Sequence, residues 1–104
     1  LHTDWSRFWG AERYFAGYPV LSPEAARWLA RFDLRGVGMD TISADVAETT
    51  DFPIHKLLLG RGFVLIENLT NLQALPAESF LFSCLPLKIE QADGSPTRAT
   101  RAPT

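Results

Sequence analysis

Two residues in the middle of the chain have side chains that could bind a metal ion. His55 lies near the start of a stretch with helical apolar spacing, and Glu67 ends an apolar run that favours a strand. They are 12 positions apart, so a helix, a turn and a strand between them would bring both side chains to one edge of a sheet. A nitrogen and an oxygen ligand suit zinc, manganese or iron. The alternative for a lone histidine is an ordinary surface or core residue, whereas a carboxylate is rarely buried without a partner.

Two short helices are predicted from their start and stop signals. In the segment 22–32, a serine before a proline and a glutamate marks the first helix start, and the apolar spacing ends near Phe32. For the second helix we expect Asp51 as the cap, Pro53 in the first turn and Gly60 at the end. This second helix carries His55.

Strands are predicted on either side of the second helix and again near the end of the chain. Residues 34–39 form a short strand with two glycines, which usually mark the close approach of another backbone. Residues 63–66 are an unbroken apolar run, typical of a strand covered on both faces. Strand, helix and strand in this order favour a parallel crossover. A further strand over 79–89 is interrupted at Pro86.

Composition limits the class of protein. The chain has 104 residues, 46% of them hydrophobic and 12% aromatic, and a net charge of −2. These values indicate at most one globular domain. No basic run is present, so we expect no nucleic-acid partner and no anionic membrane surface as partner. The apolar runs are far too short to span a membrane, and the predicted location is cytoplasmic. The single cysteine, Cys84, is predicted to be a small buried core residue.

The first twenty residues are rich in aromatic side chains. Packing over the edge of the sheet is the favoured interpretation, and an aromatic wall of a substrate pocket is the alternative. The aromatic residues concerned are Trp5, Phe8, Trp9, Tyr14, Phe15 and Tyr18.

Five sequence motifs in order resemble one known family. The segment 36–45 contains Gly-x-Asp-Thr-x-Ser-x-Asp, and His55 with the residues up to Gly60 follows it. The segments 66–69, 85–89 and 93–99 complete the series. This pattern is similar to that of the cyclase-type metal-dependent hydrolases, which include bacterial kynurenine formamidase.

The resemblance implies a fold and a place in that fold. It predicts an α/β protein with a partial cyclase-type (swivelling β/β/α-like) fold, a mixed sheet and two or three short helices. Family members are about twice as long and carry a His-x-Gly-Thr-His-x-Asp motif in their N-terminal half, which this sequence lacks. Residues 1–104 are therefore expected to be the C-terminal half of a single metal-dependent hydrolase domain.

The resemblance also implies the chemistry. The parent enzyme would use zinc or manganese to activate water against a small amide C–N bond, in an aryl formamide or a cyclic amide. His55 and Glu67 match the two ligands from the C-terminal half, and His55 would also hydrogen-bond or carry protons in catalysis. Because a catalytic site usually has three or more protein ligands, we expect the chain alone to bind metal weakly and to be inactive.

Two alternatives remain open for the chain itself. It could be a non-catalytic structural or interaction module that retains the fold without a complete metal site. It could also complete a site by assembly, either with another copy or with a separate N-terminal half. Sheet edges left open by a missing half would favour oligomers, so a homo-oligomer is predicted.

Overall fold

The computed structural model describes residues 1–103, which fall into two compact units. The first unit is Leu1–Gln73, and the second begins at Ala74. Both helices and two strands belong to the first unit, in agreement with the predicted α/β class. In chain order the elements are the 3₁₀ turns Trp5–Phe8 and Glu12–Phe15, α1 (Pro23–Leu29), β1 (Gly36–Gly38), α2 (Pro53–Gly60), β2 (Val64–Ile66), the 3₁₀ turn Leu72–Ala74, β3 (Leu81–Pro86) and β4 (Thr97–Ala102).

Strands β1 and β2 form a parallel pair, as the strand–helix–strand order predicted. Val37 lies opposite Leu65. The ladder continues past the strand ends, because the N–H of Met39 donates to the carbonyl of Ile66 at 2.9 Å. The prediction that β2 is covered on both faces is wrong: Val64 is 59% exposed, since in the part of the chain described the sheet of β1 and β2 has two strands.

The first glycine of β1 is required by the close approach of β2. A Cβ atom at Gly36 would lie 2.5 Å from the carbonyl oxygen of Val64, a distance that real Cβ atoms do not adopt. The prediction that glycine here marks a neighbouring backbone is therefore confirmed.

Replacing Gly36 with alanine should lower the free energy of unfolding by about 1–3 kcal/mol, because a strand must move to admit the methyl group. Urea unfolding followed by circular dichroism measures this change. The matched control is Gly60→Ala, where an added Cβ meets nothing within 4 Å and the change should stay within about 0.5 kcal/mol. Equal effects of the two substitutions would contradict the close approach.

The core of the first unit lies between the two helices and the parallel strands. Leu58 of α2 is completely buried, and Ala26 of α1 packs in the same cluster. Residues from the loop after β1 also enter this core. The buried cluster comprises Ala26, Val37, Met39, Ala44, Ile54, Leu58 and Phe63.

The second unit consists mainly of the antiparallel pair β3 and β4. Cys84 lies opposite Ala99 in this pair. The prediction of a buried cysteine is wrong: Cys84 is partly exposed, and its Sγ lies 3.5 Å from Oγ1 of Thr97. Apolar alternation predicts burial only where another layer covers the strand, and many apolar side chains here are exposed. They are Leu81, Phe82, Leu85, Leu87 and Ile89.

The helices within residues 1–103 are short or polar, and none has the length and apolar character needed to cross a lipid bilayer.

Candidate functional site

A buried carboxylate holds the start of helix α2. The Oδ1 atom of Asp45 accepts the N–H of Ile54 at 2.9 Å, and its Oδ2 atom accepts the N–H of His55 at 2.9 Å. The predicted cap, Asp51, does not take this place: its Oδ1 accepts the hydroxyl of Thr49 at 3.3 Å. The first turn of α2 faces the interior, so its free N–H groups are bonded by a carboxylate that is itself buried.

The same carboxylate contacts the imidazole of His55. Oδ2 of Asp45 lies 2.7 Å from Nδ1 of the ring. Burial acts to raise the pKa of Asp45, but the bonds from the Ile54 N–H and from the side chain and N–H of His55 outweigh it, so the pKa is lowered. An ionised carboxylate can only accept hydrogen bonds. Nδ1 of His55 must therefore carry a proton.

The second ring nitrogen of His55 faces Glu67. Nε2 lies 3.1 Å from Oε1 of Glu67, and the two side chains are 23% and 31% exposed. The structure thus brings together the two residues that the sequence analysis selected. Their roles as metal ligands, and that of His55 in catalysis, stay predictions.

The backbone around Glu67 is fixed by its neighbour Asn68. The N–H of Asn68 donates to the carbonyl of Thr41 at 2.9 Å. Asn68 has a φ of 59°, in the left-handed region that asparagine tolerates better than most residues. Its Oδ1 accepts the hydroxyl of Tyr14 at 2.8 Å. These bonds hold the strand end from which Glu67 reaches His55.

The loop after β1 is built to present Asp45. The hydroxyl of Thr41 donates to the carbonyl of Ser43 at 3.1 Å, and Oγ of Ser43 accepts the N–H of Asp45 at 3.0 Å. The hydroxyl of Tyr18 donates to the carbonyl of Asp45 at 2.9 Å. The threonine and the serine of the Gly-x-Asp-Thr-x-Ser-x-Asp motif therefore fix the loop that positions the carboxylate of the last aspartate.

The first aspartate of the motif has a structural role. Asp40 is completely buried, and its carboxylate accepts the N–H of Thr3 at 3.0 Å and the hydroxyl of Thr3 at 2.6 Å. Burial acts to raise its pKa, but the bonds from the Thr3 hydroxyl and N–H outweigh it and leave the pKa lowered. Asp40 thus fastens the N-terminal segment to the end of β1.

The lowered pKa of Asp40 predicts an acid-dependent contribution to stability. A carboxylate of this kind stabilises the fold above its ordinary pKa of 3.8, and the contribution disappears as the pH falls through the lowered value. We expect Asp40→Asn to cost about 1–3 kcal/mol at pH 7. The difference from wild type should shrink as the pH falls below about 4.

Urea unfolding of both proteins at several pH values tests this expectation. Asp33→Asn, a change at an exposed carboxylate, is the control and should follow the wild type throughout. A gap between Asp40→Asn and wild type that stays constant into acid would contradict the role assigned to the carboxylate.

Two of the N-terminal aromatic residues, Tyr14 and Tyr18, pack against the site, whereas Trp9 and Phe15 are 67% and 54% exposed. Tyr14 and Tyr18 are both buried, and burial is the largest cause that raises the pKa of each hydroxyl. Both hydroxyls therefore remain donors at neutral pH. The sequence pattern of this segment predicts packing, but it contains no signal for these two hydroxyl contacts, because their partners lie far away along the chain.

The aromatic pocket wall has less support. An open cavity of about 260 Å³ lies beside Thr41 and Ser43, and its lining contains no phenylalanine, tyrosine or tryptophan. It is lined by Leu1, His2, Thr3, Pro19, Val20, Leu21, Met39, Thr41, Ser43 and Ala44.

The candidate site has two donors that face each other. Within residues 1–103, no group of three or more His, Cys, Asp and Glu side chains is arranged to hold a metal ion. Asp45 lies on the far side of the imidazole, so Nε2 of His55 and the carboxylate of Glu67 are the atoms available to a cation. Imidazole nitrogen and carboxylate oxygen each bind zinc at about 2.0–2.2 Å, and two atoms 3.1 Å apart can both reach one ion at that distance. The pair therefore fits one side of a divalent metal site.

Comparisons with known proteins identify the family to which this chain is similar. The family described as "Putative cyclase" matches residues 1–46. Kynurenine formamidase of Polaromonas naphthalenivorans (strain CJ2) is 35% identical over 89 residues, which cover 86% of this chain and 40% of that protein. Isatin hydrolase of Roseibium aggregatum is 32% identical over 110 residues, which cover 95% of this chain and 42% of that protein.

The solved structures give the same result for the fold. A crystal structure of an isatin hydrolase bound to the product analogue thioisatinate superimposes with a TM-score of 0.84 at 32% identity, covering 98% of this chain and 44% of that one. The chain spans less than half the length of these relatives. The shared sequence, the shared fold and the family match show that this chain belongs to the cyclase family.

Proposed function

We propose that this chain is the C-terminal half of a metal-dependent amide hydrolase, in which His55 and Glu67 hold a divalent cation. The observation that carries the proposal is the 3.1 Å approach of Nε2 of His55 to Oε1 of Glu67, with Asp45 on the opposite ring nitrogen. Zinc and manganese are the ions that we expect, because both accept a nitrogen and an oxygen donor.

The approach of these two atoms is stabilised by a positive charge between them, which a metal ion or a second ring proton can supply. Nδ1 of His55 carries the proton that it donates to Asp45, so a ring with one proton has a bare lone pair at Nε2. A carboxylate oxygen of Glu67 faces that lone pair, and two acceptors at hydrogen-bond distance repel each other. A cation that binds both atoms removes the repulsion.

The reaction proposed is hydrolysis of a small amide C–N bond. The relatives named above are a kynurenine formamidase and an isatin hydrolase, which supports an aryl formamide or a cyclic amide as the substrate class. A divalent cation at this site would activate water for attack and polarise the amide carbonyl. The chain's own residues hold and orient the donors, and further ligands would come from outside residues 1–103.

The geometry supports one of the two roles predicted for His55 more than the other. Both ring nitrogens have partners, Asp45 at Nδ1 and Glu67 at Nε2. With Nε2 on a cation, no ring nitrogen is left to exchange a proton with substrate. We therefore favour a ligand role for His55 over a proton-carrying role in catalysis.

Titration of zinc into the purified chain, followed by calorimetry and by an aryl formamide hydrolysis assay, tests the proposal. We expect weak zinc binding and no hydrolysis by the chain alone. Hydrolysis should appear when the chain is co-expressed with an N-terminal half that carries the His-x-Gly-Thr-His-x-Asp motif. Tight, sub-micromolar zinc binding with formamide turnover by the chain alone would contradict the assignment to half of an enzyme.

A second candidate is a non-catalytic structural or interaction module. A doubly protonated His55 between Asp45 and Glu67 would also satisfy both carboxylates without a metal ion. The distances of 2.7 and 3.1 Å from the two ring nitrogens to these carboxylates are ordinary for such hydrogen bonds, which favours this candidate. In that case zinc would not bind at His55, and the same titration separates the two.

Self-association is part of the proposal. The second unit presents exposed apolar side chains on β3, including Leu81 and Leu85, and a two-stranded hairpin is marginally stable by itself. We propose a homo-oligomer, or pairing with a missing N-terminal half, which sedimentation at several concentrations tests. The cytoplasmic location and the lack of a nucleic-acid partner stay predictions.

A further inference from the structure

We infer that Asp45 is the positioning residue of the candidate site, because its carboxylate selects the tautomer of His55 that leaves Nε2 without a proton. The consequence for metal binding rests on the proposed function. The tautomer itself does not, since it is a property of the metal-free chain.

Three donors converge on this one carboxylate. Two are the N–H of Ile54 and the N–H of His55, and the third is Nδ1 of the same histidine at 2.7 Å. Asp45 is 3% exposed. Its own N–H and carbonyl are bonded to Ser43 and Tyr18. Backbone and ring of His55 are thus tied to a single anchored group, which fixes the direction of Nε2.

The contacts also decide where a single ring proton resides. A bare Nδ1 would face the Asp45 carboxylate at 2.7 Å, whereas a bare Nε2 faces the Glu67 carboxylate at 3.1 Å. The first repulsion is the larger, because the pair is closer and Asp45 is more deeply buried than Glu67. The proton therefore stays on Nδ1. A histidine that binds a metal generally donates its other ring N–H to a carboxylate or carbonyl in this way.

Replacing Asp45 with asparagine should invert the tautomer. Asparagine has one oxygen and one NH₂ group in place of two carboxylate oxygens. In one orientation the amide oxygen accepts the N–H of Ile54 and the NH₂ group opposes the N–H of His55. In the other orientation the two positions are exchanged. With the NH₂ group toward Nδ1, the ring proton moves to Nε2 and gains a bond to Glu67. This extra bond favours the inverted state, in which Nε2 is no longer free for a cation.

The experiment reads the ring nitrogens directly. ¹⁵N spectra of the imidazoles are recorded on the metal-free chain, with the pH raised until His55 carries one ring proton. We expect a protonated Nδ1 and a bare Nε2 in wild type, and the reverse in Asp45→Asn. Zinc affinity measured by calorimetry should fall about 10–100-fold in the variant, the usual loss when a residue that orients a ligand is changed. Asp51→Asn, an exposed carboxylate near the same helix, is the control and should change neither quantity.

Three results would overturn the inference. A wild-type His55 protonated at Nε2 and bare at Nδ1 would do so even if the variant does not fold. An unchanged tautomer in a folded Asp45→Asn variant would do so as well. So would an inverted tautomer with unchanged zinc affinity. A wild-type chain that binds no zinc overturns the proposed function instead, while the ring shifts still decide which tautomer Asp45 selects.

Discussion

Replacing Glu67 with glutamine should remove most of the zinc affinity of the chain without lowering its stability. The substitution keeps the shape of the side chain but removes the charge, and its NH₂ group can donate to Nε2 of His55, which the carboxylate cannot do. Changing a residue that only orients a ligand costs about 10–100-fold in metal affinity, so the loss of a ligand should cost about 100-fold or more. Calorimetric titration with zinc gives the affinity, and urea unfolding gives the stability.

Two further variants complete this test. His55→Ala should lose zinc binding to a similar extent, because it removes the nitrogen donor. Glu48→Gln makes the same chemical change as Glu67→Gln at an exposed position and should bind zinc like wild type. Equal zinc affinity in Glu67→Gln and Glu48→Gln would contradict the proposal that Glu67 is a zinc ligand.

Replacing Leu58 with alanine should have the largest effect on stability. Leu58 is completely buried, with 0% of its surface accessible to solvent, and it lies on the buried face of α2. Truncating a buried leucine costs about 2–5 kcal/mol, from lost burial and from the cavity left behind. The whole free energy of unfolding of a small domain is about 5–15 kcal/mol. Leu58 is therefore expected to contribute a large share of the stability of the unit that contains the helix with His55.

The neighbouring leucine is the matched control. Leu59 is 51% exposed, so Leu59→Ala should change the free energy of unfolding by at most about 0.5 kcal/mol. Urea unfolding of the two variants and the wild type measures the difference. Similar losses at both positions would mean that α2 does not pack as described.

Local patterns in the sequence were sufficient for the framework of the site. Helix α2 begins at Pro53 and ends at Gly60, as predicted, and the apolar run of β2 ends just before Glu67. His55 lies near the start of α2, and Glu67 follows the end of β2. Because only a short helix, a turn and a parallel strand separate them, their positions predict that the two side chains lie close together. The family resemblance rested on motifs from the same segments.

The residue that holds the site together could not be found by the same rules. Helix capping rules look for a side chain directly before the first turn, which selected Asp51. The carboxylate that bonds the first turn of α2 comes instead from Asp45, nine and ten positions before its partners. The contacts of Tyr14 with Asn68 and of Tyr18 with Asp45 span 54 and 27 positions. Such contacts depend on the tertiary fold, which a local pattern does not contain.

The burial of individual strands also could not be predicted from the sequence pattern. The apolar run of β2 predicted a covered strand and the apolar neighbours of Cys84 predicted a buried cysteine, yet Val64 of β2 and Leu85 of β3 are 59% and 78% exposed. An apolar run indicates that a strand can be buried, but burial also requires another element to pack against it. The second unit shows this most clearly, because its described strands form a sheet of two.

The measurement that tests the central claim most directly is the ¹⁵N spectrum of His55 during a zinc titration of the wild-type chain. The chain has two histidines, so exposed His2 provides an internal reference. We predict that zinc moves the Nε2 resonance of His55 and leaves Nδ1 protonated, and that the same zinc concentration leaves the Nε2 resonance unmoved in Glu67→Gln. Zinc binding that leaves Nε2 of His55 unchanged, or that is equally strong without the Glu67 carboxylate, would contradict the claim that these two residues hold the cation.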